Sequence, residues 1–191
     1  MLPQPDDEVV RRAQRGDAAA FTELVRMYEE PLFNYVLRLV SDRSLAEDLT
    51  QEVLLRVHQS LPGFSFRSKF TTWLFQVAKN RVFDEYRARE RRPRTIELDA
   101  VHPLFATDAP AESLETVEAL WSAIDNLKVD MKEALLLREV VGLSYLEIAE
   151  CLDISLAIVK WRIFKAREEV QLALAREGVS VEFGGERAAS S

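Results

Sequence analysis

Residues 64–94 read FSFRSKFTTWLFQVAKNRVFDEYRARERRPR, and this stretch decides how the first half of the chain folds. A short aromatic and basic loop leads into a long helical pattern, which ends in a cluster of arginines. One side of the predicted helix carries an apolar stripe at spacings of four, seven and eight, formed by Phe70, Leu74, Val77 and Ala78. We therefore expect a long helix that packs against a hydrophobic core.

A second side of the same predicted helix carries Trp73, Gln76, Asn80 and Arg87. A tryptophan ring can stack on a nucleobase, amides can bond to base edges, and arginine can bind phosphate. The pattern favours a surface for nucleic acid, because a helix side that faces only solvent would more often carry Glu and Lys. A second core position would give Trp73 the same spacing, so the sequence leaves both interpretations open.

The composition is that of a globular protein with one or two domains. Of its 191 residues 48% are hydrophobic, and 6 glycines and 7 prolines leave room for long helices. No run approaches the roughly 18 apolar residues of a membrane span, and we expect no signal peptide. The single cysteine, Cys151, cannot form an internal disulfide, which favours a reducing cytoplasm.

The charge is unevenly distributed, although the net charge is −7. Residues 79–94 carry a charge of +4, residues 95–159 carry −10, and residues 160–167 carry +4. Two compact basic patches therefore flank an acidic middle segment. Because the local charge decides where phosphate can bind, the acidic total does not exclude a nucleic-acid partner.

The N-terminal residues predict two helices. Residues 6–15 form a short one, and Asp17 can cap a second helix that runs toward Val40. Pro31 lacks an amide hydrogen, so we expect it to kink this second helix or to split it in two.

A third helix follows, with an unusual polar side. Ser44 and Glu47 have capping-box spacing at its start, and Pro62 and Gly63 stop it. Its polar side carries Asp48, Gln51, Glu52 and Leu55. A leucine ringed by acids and amides favours a docking surface for a protein with basic side chains. An ordinary solvated side with one exposed leucine would give the same pattern.

The helical period stops after residue 94. Residues 95–112 hold two prolines and scattered apolar residues, and we interpret them as a flexible linker between two helical domains, 6–94 and 113–177. The apolar residues of the linker could dock on a partner or pack transiently on the chain itself. Residues 178–191 are expected to be a disordered tail.

Residues 142–170 read GLSYLEIAECLDISLAIVKWRIFKAREEV and give the most specific local signal in the chain. A capping box at Ser144 and Glu147 starts one helix, and a tight turn leads to Ser155, which can cap the next. Two helices joined by so short a turn, the second of them basic, predict a helix-turn-helix. The second helix exposes residues suited to a DNA major groove, namely Lys160, Trp161, Phe164 and Lys165. A solvated basic side would not explain two exposed aromatic rings.

Three motifs in order resemble the extracytoplasmic-function (ECF) group of bacterial sigma-70-type sigma factors. They are AEDLTQEVLLRV, then FTTWLFQVAKNRVFDEYR, then LLLREVVGLSYLEIAECLDIS with VKWRIFKAR. The resemblance implies an all-α fold, with sigma region 2 over residues 6–94 and sigma region 4 over residues 113–177. It implies a protein that binds core RNA polymerase and directs promoter recognition, DNA melting and transcription initiation.

The resemblance also assigns roles to residues. The clamp helices of the polymerase beta-prime subunit would be bound by Asp48, Gln51, Glu52 and Leu55. The minus-10 element would be opened and read by Phe64, Phe66, Arg67, Lys69, Trp73, Gln76, Asn80 and Arg87. The minus-35 element would be read as duplex by Lys160, Trp161, Arg162, Phe164 and Lys165. The polymerase beta flap and an anti-sigma factor are further implied partners, in the cytoplasm, with no cofactor, metal or membrane insertion.

The recognition helix departs from the family pattern. Ala157 and Ile158 stand where the family usually has Gly-Thr, and Trp161 stands where Ser is common. Lys165 replaces a frequent Arg, and lysine is a poorer bidentate reader of guanine. These changes predict an altered minus-35 preference or a surface that a regulator holds.

No enzyme is expected, because the two histidines lie in unrelated contexts and neither metal-ligand spacing nor a phosphate-binding glycine loop is present. One competing hypothesis is a stand-alone regulator with a helix-turn-helix of the LuxR type and a helical sensor domain. The residue pairs Trp73/Asn80 and Asp48/Leu55 argue against it, since a sensor domain needs neither. A helical adaptor that binds only proteins would show no salt-dependent affinity for DNA.

Overall fold

The computed structural model describes residues 2–91 and 111–179, and every regular element in these two ranges is helical. The α-helices are α1 Asp7–Gln14, α2 Ala18–Val40, α3 Arg43–Ser60, α4 Phe70–Arg91, α5 Ala111–Asp125, α6 Val129–Glu139, α7 Tyr145–Leu152 and α8 Leu156–Arg176. A 3-10 turn, Leu61–Gly63, follows α3. The all-α prediction is confirmed. The predicted linker lies outside the described residues except for 111–112, which begin α5, and so does the predicted tail beyond residue 179.

Carboxylates cap the first two helices, and the cap at Asp17 is the one that the sequence predicts. Asp6 caps α1, and Asp17 accepts hydrogen bonds from the amides of Ala19 and Ala20 at 3.0 and 3.1 Å at the start of α2. These two backbone hydrogen bonds and a hydrogen bond from the Arg12 side chain lower the pKa of the Asp17 carboxyl.

In the first domain, helices α1–α4, the structure contradicts a split at Pro31 and the predicted start of α3 at Ser44, whereas the alternative of a kink at Pro31 stays a prediction. Pro31 does not split α2, which runs unbroken to Val40, because buried side chains on both sides of the proline hold the helix on the core. Ser44 does not cap α3. The cap is Asp42, whose carboxylate accepts the amide of Leu45 at 3.0 Å, so that the helix begins earlier and Ser44 lies inside its first turn.

The core of the first domain lies between α2, α3 and α4. The ring of Tyr35 meets that of Phe75 edge to face at 5.2 Å, and the hydroxyl groups of Tyr28 and Thr71 lie 3.0 Å apart. The predicted apolar stripes face inward here, with buried side chains at Leu49, Val53, Val57, Phe70, Leu74 and Ala78. This packing fixes which sides of α3 and α4 remain at the surface.

The second domain, helices α5–α8, contains the predicted helix-turn-helix. Ser144 and Glu147 form the expected capping box at the start of α7, and Ser155 accepts the amide of Ile158 at the start of α8. Asp153 ends α7 in the left-handed conformation at φ 55°, which produces the sharp turn. The predicted inner side of α8 is buried at Val159, Ile163, Ala166 and Val170.

The two domains pack against each other, a contact that the sequence does not indicate. Helix α4 contacts α7, and α2 contacts α6. The guanidinium of Arg38 lies 3.4 Å from the ring centre of Trp121 on α5, and Lys69 forms an ion pair of 2.8 Å with Glu147 on α7. The buried side chains of both domains therefore form one continuous hydrophobic cluster.

Candidate nucleic-acid and protein interfaces

The polar side of α3, which we call the α3 face, consists of Asp48, Gln51, Glu52 and Leu55. All four side chains are exposed, and Leu55 has 57% of its surface open to solvent. Glu52 is partly neutralised, because it accepts a hydrogen bond of 2.6 Å from Arg81 on α4, which lowers the pKa of its carboxyl. Besides Glu52, the α3 face therefore presents the leucine side chain of Leu55, the carboxylate of Asp48 and the amide of Gln51.

A shallow groove of about 500 Å³ adjoins the α3 face. Helix α2 supplies Glu29, Glu30 and Phe33 to it, and α3 supplies Thr50 and Gln51. The one sign of the α2 contribution in the sequence is the pair of consecutive glutamates, Glu29 and Glu30, before Pro31. Arg26 and Arg43 also line the groove, so it is of mixed charge where it adjoins the α3 face.

Residues 64–69, the aromatic loop, are held in place by packing. The ring of Phe64 is 7% exposed and lies 4.8 Å from Phe66, 5.0 Å from Trp73 and 5.9 Å from Phe70. In this arrangement Phe64 has no free ring surface for a base, and it supports its neighbours. Trp73 is half-buried: one side of the indole packs on the core and the rest stays open, so the nucleic-acid interpretation of this residue stays a prediction.

Helix α1 anchors the aromatic loop through two residues that the sequence analysis did not single out. Gln14 donates hydrogen bonds to the carbonyls of Leu61 and Phe64 at 3.0 and 2.7 Å. The guanidinium of Arg11 lies 4.2 Å from the ring centre of Phe66. Phe66 itself has a φ of 57°, which turns the chain sharply at this point. No local spacing signals such long-range contacts, so the sequence alone could not reveal them.

The outer side of α4, which we call the α4 face, contains Trp73, Gln76, Asn80 and Arg87. Asn80 and Arg87 are exposed, and Gln76 is half-exposed. The predicted loop residues Arg67 and Lys69 are exposed as well. The α4 face therefore presents a half-open indole, two amides and an arginine, and the loop before α4 carries two exposed cations. Single-stranded nucleic acid binds to groups of these kinds.

A cavity of about 650 Å³ lies between the domains and collects residues predicted for two different DNA elements. Asn80 and Arg87 line it from α4, and Arg162 lines it from α8. Arg162 also forms an ion pair of 3.4 Å with Asp130 on α6, and only 20% of its side chain is exposed. Arg162 thus points away from the other predicted residues of its helix.

Glu133 on α6 is the most strongly perturbed carboxyl at the domain contact. It is 3% exposed and lines the interdomain cavity. Burial raises the pKa of Glu133 to about 7, although Lys79 and Arg162 act in the opposite direction. Tyr35 lies against it, and burial raises the pKa of this phenol well above its usual value. The contact between the domains therefore contains an acid that titrates near neutral pH.

The outer side of α8 carries the remaining predicted residues. Lys160 is exposed, Trp161 is 55% exposed and Phe164 is 63% exposed. Lys165 forms an ion pair of 2.5 Å with Glu168, and its ammonium lies 5.9 Å from the ring centre of Phe164. We call Lys160, Trp161, Phe164 and Lys165 the α8 face.

The described residues show no cluster of His, Cys, Asp and Glu side chains that could hold a metal ion. Cys151 is buried, and burial raises the pKa of its thiol to about 12, which makes it unreactive. Among the helices described, none has the length and hydropathy to cross a membrane.

Comparisons with known proteins identify the family of the chain. A model of sigma-70 region 2 matches residues 24–92, and a model of sigma-70 region 4 matches residues 117–170. The RNA polymerase sigma-H factor of Pseudomonas aeruginosa is 34% identical over 185 residues, which cover 91% of this chain and 96% of that protein. The ECF RNA polymerase sigma-E factor of Escherichia coli K12 is 32% identical over 176 residues, which cover 86% of this chain and 92% of that protein.

Two solved structures share the fold. One is CnrH in complex with the cytosolic domain of CnrY, with a TM-score of 0.69, 23% identity and coverage of 90% of this chain and 98% of that one. The other is the sigma factor RpoE of Bartonella quintana in complex with the anti-sigma factor NepR, with a TM-score of 0.69, 24% identity and coverage of 81% and 96%.

The chain belongs to the ECF group of sigma-70-type RNA polymerase sigma factors, which are initiation factors rather than catalysts. Its first domain is sigma region 2 and its second domain is sigma region 4. The family membership confirms the resemblance drawn from the three motifs. It also favours the sigma-factor function over a stand-alone regulator.

Proposed function

We propose that this sigma factor binds core RNA polymerase through its α3 face, opens and reads the minus-10 element with its α4 face and aromatic loop, and reads the minus-35 element with its α8 face. The observation that carries the proposal is that three chemically distinct surfaces occur on one chain of this family. One is acidic and apolar, one is aromatic and amide-bearing, and one is basic and aromatic. The chain itself contributes no catalysis and acts in the cytoplasm, where the polymerase is.

The proposal is tested by transcription. Purified chain is added to core polymerase on a library of genomic fragments, and the start sites are mapped. We expect transcription from a small set of promoters that share two elements. Promoter binding that is equally tight without polymerase would support the stand-alone regulator and contradict this proposal.

Among the residues proposed for the minus-10 element, some support the surface from inside and others contact the DNA. Phe64 and Phe70 hold the indole of Trp73 from the inside, and Gln14 fixes the loop backbone. Trp73 and Asn80 then offer stacking and hydrogen bonds to an unstacked base. Stacking of one base on an aromatic side chain contributes roughly 1–3 kcal/mol, which offsets part of the cost of melting.

The proposed function requires the two domains to separate. Elements centred near positions −10 and −35 are roughly 85 Å apart along a duplex, at about 3.4 Å per base pair. In the described arrangement Asn80 and Arg162 line one cavity of about 650 Å³, which cannot span that distance. The described arrangement is therefore a closed form.

Glu147→Gln is expected to shift the chain toward the open form about two- to five-fold. The substitution removes the charge that pairs with Lys69, but glutamine can still accept the Ser144 amide and preserve the capping box. Opening is measured by energy transfer between dyes on cysteines introduced at Gln59 and Glu177, since buried Cys151 does not compete for the dyes.

The matched control for this prediction is Glu150→Gln, which removes an exposed charge from the same helix. It should leave the energy transfer unchanged. Equal distances in Glu147→Gln and in the original chain would show that the ion pair contributes nothing to closure.

Changing Lys160 and Lys165 to alanine is expected to weaken minus-35 duplex binding by the polymerase holoenzyme, and to reduce the slope of log K against log salt by about 1–2. Each lysine that contacts phosphate releases roughly one counterion. The measurement is duplex affinity at several salt concentrations. Changing Lys128 and Arg176, two exposed cations elsewhere in the second domain, serves as the control. An unaltered slope in the double lysine variant would mean that the α8 face does not touch the DNA backbone.

An anti-sigma factor is a further proposed partner. The solved RpoE structure that shares this fold holds one. The closed form is the state in which such a regulator would find both domains together.

A further inference from the structure

The first ten residues of the recognition helix contain no side chain that can accept a hydrogen bond. Residues 156–165 read LAIVKWRIFK and include no Asn, Gln, Asp, Glu, Ser or Thr. They therefore hold no side-chain acceptor for the amino groups of adenine or cytosine, and no amide that could bond adenine at two points. Ser155, which precedes them, uses its hydroxyl oxygen to cap the helix.

Two further side chains that could bond to base edges are paired with carboxylates in the structure. Arg162, whose guanidinium could bond guanine at two points, turns toward α6 and pairs with Asp130. Lys165 pairs with Glu168 in an exposed ion pair, so we assign its charge to the DNA backbone and not to a base. What remains exposed for base contacts on the first turns is Lys160, the aliphatic side chain of Ile158 (43% exposed) and two aromatic rings, Trp161 and Phe164.

The two rings are placed to act together. Trp161 and Phe164 are three residues apart on one side of α8, and each exposes more than half of its surface. Side chains at this spacing have Cβ atoms about 5–6 Å apart on a helix. Successive base pairs are about 3.4 Å apart, so the rings match positions one or two base pairs apart. The feature that an apolar ring can read in the major groove is the C5-methyl group of thymine.

We propose that Trp161 and Phe164 contact the C5-methyl groups of two thymines, one or two base pairs apart, in the minus-35 element. This inference rests on the proposed function and specifies what the α8 face selects. Lys160 supplies charge for the neighbouring phosphate or for a guanine acceptor. The departures at Ala157, Ile158 and Trp161 then have one physical meaning, because they replace hydrogen-bond readout by methyl readout.

The test replaces thymine by deoxyuridine in the minus-35 element of a promoter mapped with this sigma factor. Deoxyuridine lacks only the methyl group and keeps every hydrogen bond. We expect holoenzyme affinity for the duplex to fall about four-fold for each thymine that is read, and about 15-fold for both, from the burial of one methyl each. Deoxyuridine in the spacer between the two elements is the control and should have no effect.

The protein side of the test is Trp161→Ala with Phe164→Ala. Both side chains are exposed, so the variant is expected to fold, and thermal unfolding checks this. The variant should bind thymine and deoxyuridine promoters equally. Leu172→Ala, which removes an equally exposed apolar side chain (56%) two turns further along α8, should keep the discrimination.

The outcomes separate the inference from the proposed function. If no promoter is transcribed with core polymerase, the proposed function fails. If promoters are transcribed but deoxyuridine costs nothing, or costs the same in the double alanine variant, methyl readout by these rings is overturned while the function stands. If the double variant binds promoters as the original chain does, the rings do not lie on DNA and the inference is likewise overturned.

Discussion

Replacing Asp48 and Leu55 with arginine is expected to abolish co-purification with core RNA polymerase, with at least a hundred-fold loss of affinity. Leu55 is a large apolar side chain that the first domain leaves more than half exposed, and Asp48 is an exposed acid about two helical turns away on the same side of α3. A central apolar anchor commonly contributes 2 kcal/mol or more to an interface, and two new cations facing basic partner side chains add repulsion.

The variant should fold, because both positions are solvent-exposed and arginine has a high helix propensity. The measurement is affinity capture of core polymerase by tagged chain, followed by a titration. The matched controls are Glu23→Arg, a charge reversal at an exposed position of α2, and Leu172→Arg, which changes a leucine of nearly equal exposure. Undiminished capture by the Asp48 and Leu55 variant would remove the α3 face from the proposal.

Local signals in the sequence predicted the second domain well. The capping box at Ser144 and Glu147 and the cap at Ser155 each involve residues three apart, so the sequence contains the whole interaction. The α3 cap shows the limit of this reasoning. Ser44 and Glu47 have the right spacing, but Asp42 offers a carboxylate two residues earlier and the helix starts there. Where two residues can cap a helix, spacing alone does not decide between them.

Contacts between distant parts of the chain could not be predicted from spacing. The burial of Phe64 depends on Trp73 and Phe70, and the loop that holds it depends on Gln14, 50 residues earlier. The direction of Arg162 is set by Asp130 on another helix. For these residues the sequence predicts the kind of side chain that the surface needs. Only the packing shows which side chains contact a partner and which support their neighbours.

The packing of the two domains against each other also depends on contacts between distant parts of the chain. It changes the protonation of one buried acid, Glu133. The contact buries Glu133 among groups from four other helices: Tyr35 on α2, Lys79 on α4, Cys151 on α7 and Arg162 on α8, with Asp130 on its own helix. An acid of ordinary pKa 4.5 that is held at about 7 prefers to be protonated in the closed form. Opening the domains would expose Glu133 to water and return its pKa toward 4.5.

We therefore expect the closed form to weaken as the pH rises. Below pH 4.5 Glu133 is protonated in both forms and has no effect. Between pH 4.5 and 7 the open form releases the proton and the closed form keeps it, so closure loses about ten-fold in equilibrium constant per pH unit. Above pH 7 both forms are ionised and the dependence levels off. From pH 5.5 to 7.5 the ratio of closed to open chain should fall about 20-fold.

Glu133→Gln should remove this dependence, because glutamine has nearly the shape of the protonated acid and does not titrate. At pH 8 the variant should be more than ten-fold more closed than the original chain, measured by energy transfer between dyes at positions 59 and 177. Glu169→Gln, which removes an exposed charge from α8, is the control and should keep the original pH profile. A flat profile in the original chain would show that Glu133 stays buried when the domains move, so that closure and its protonation are unconnected.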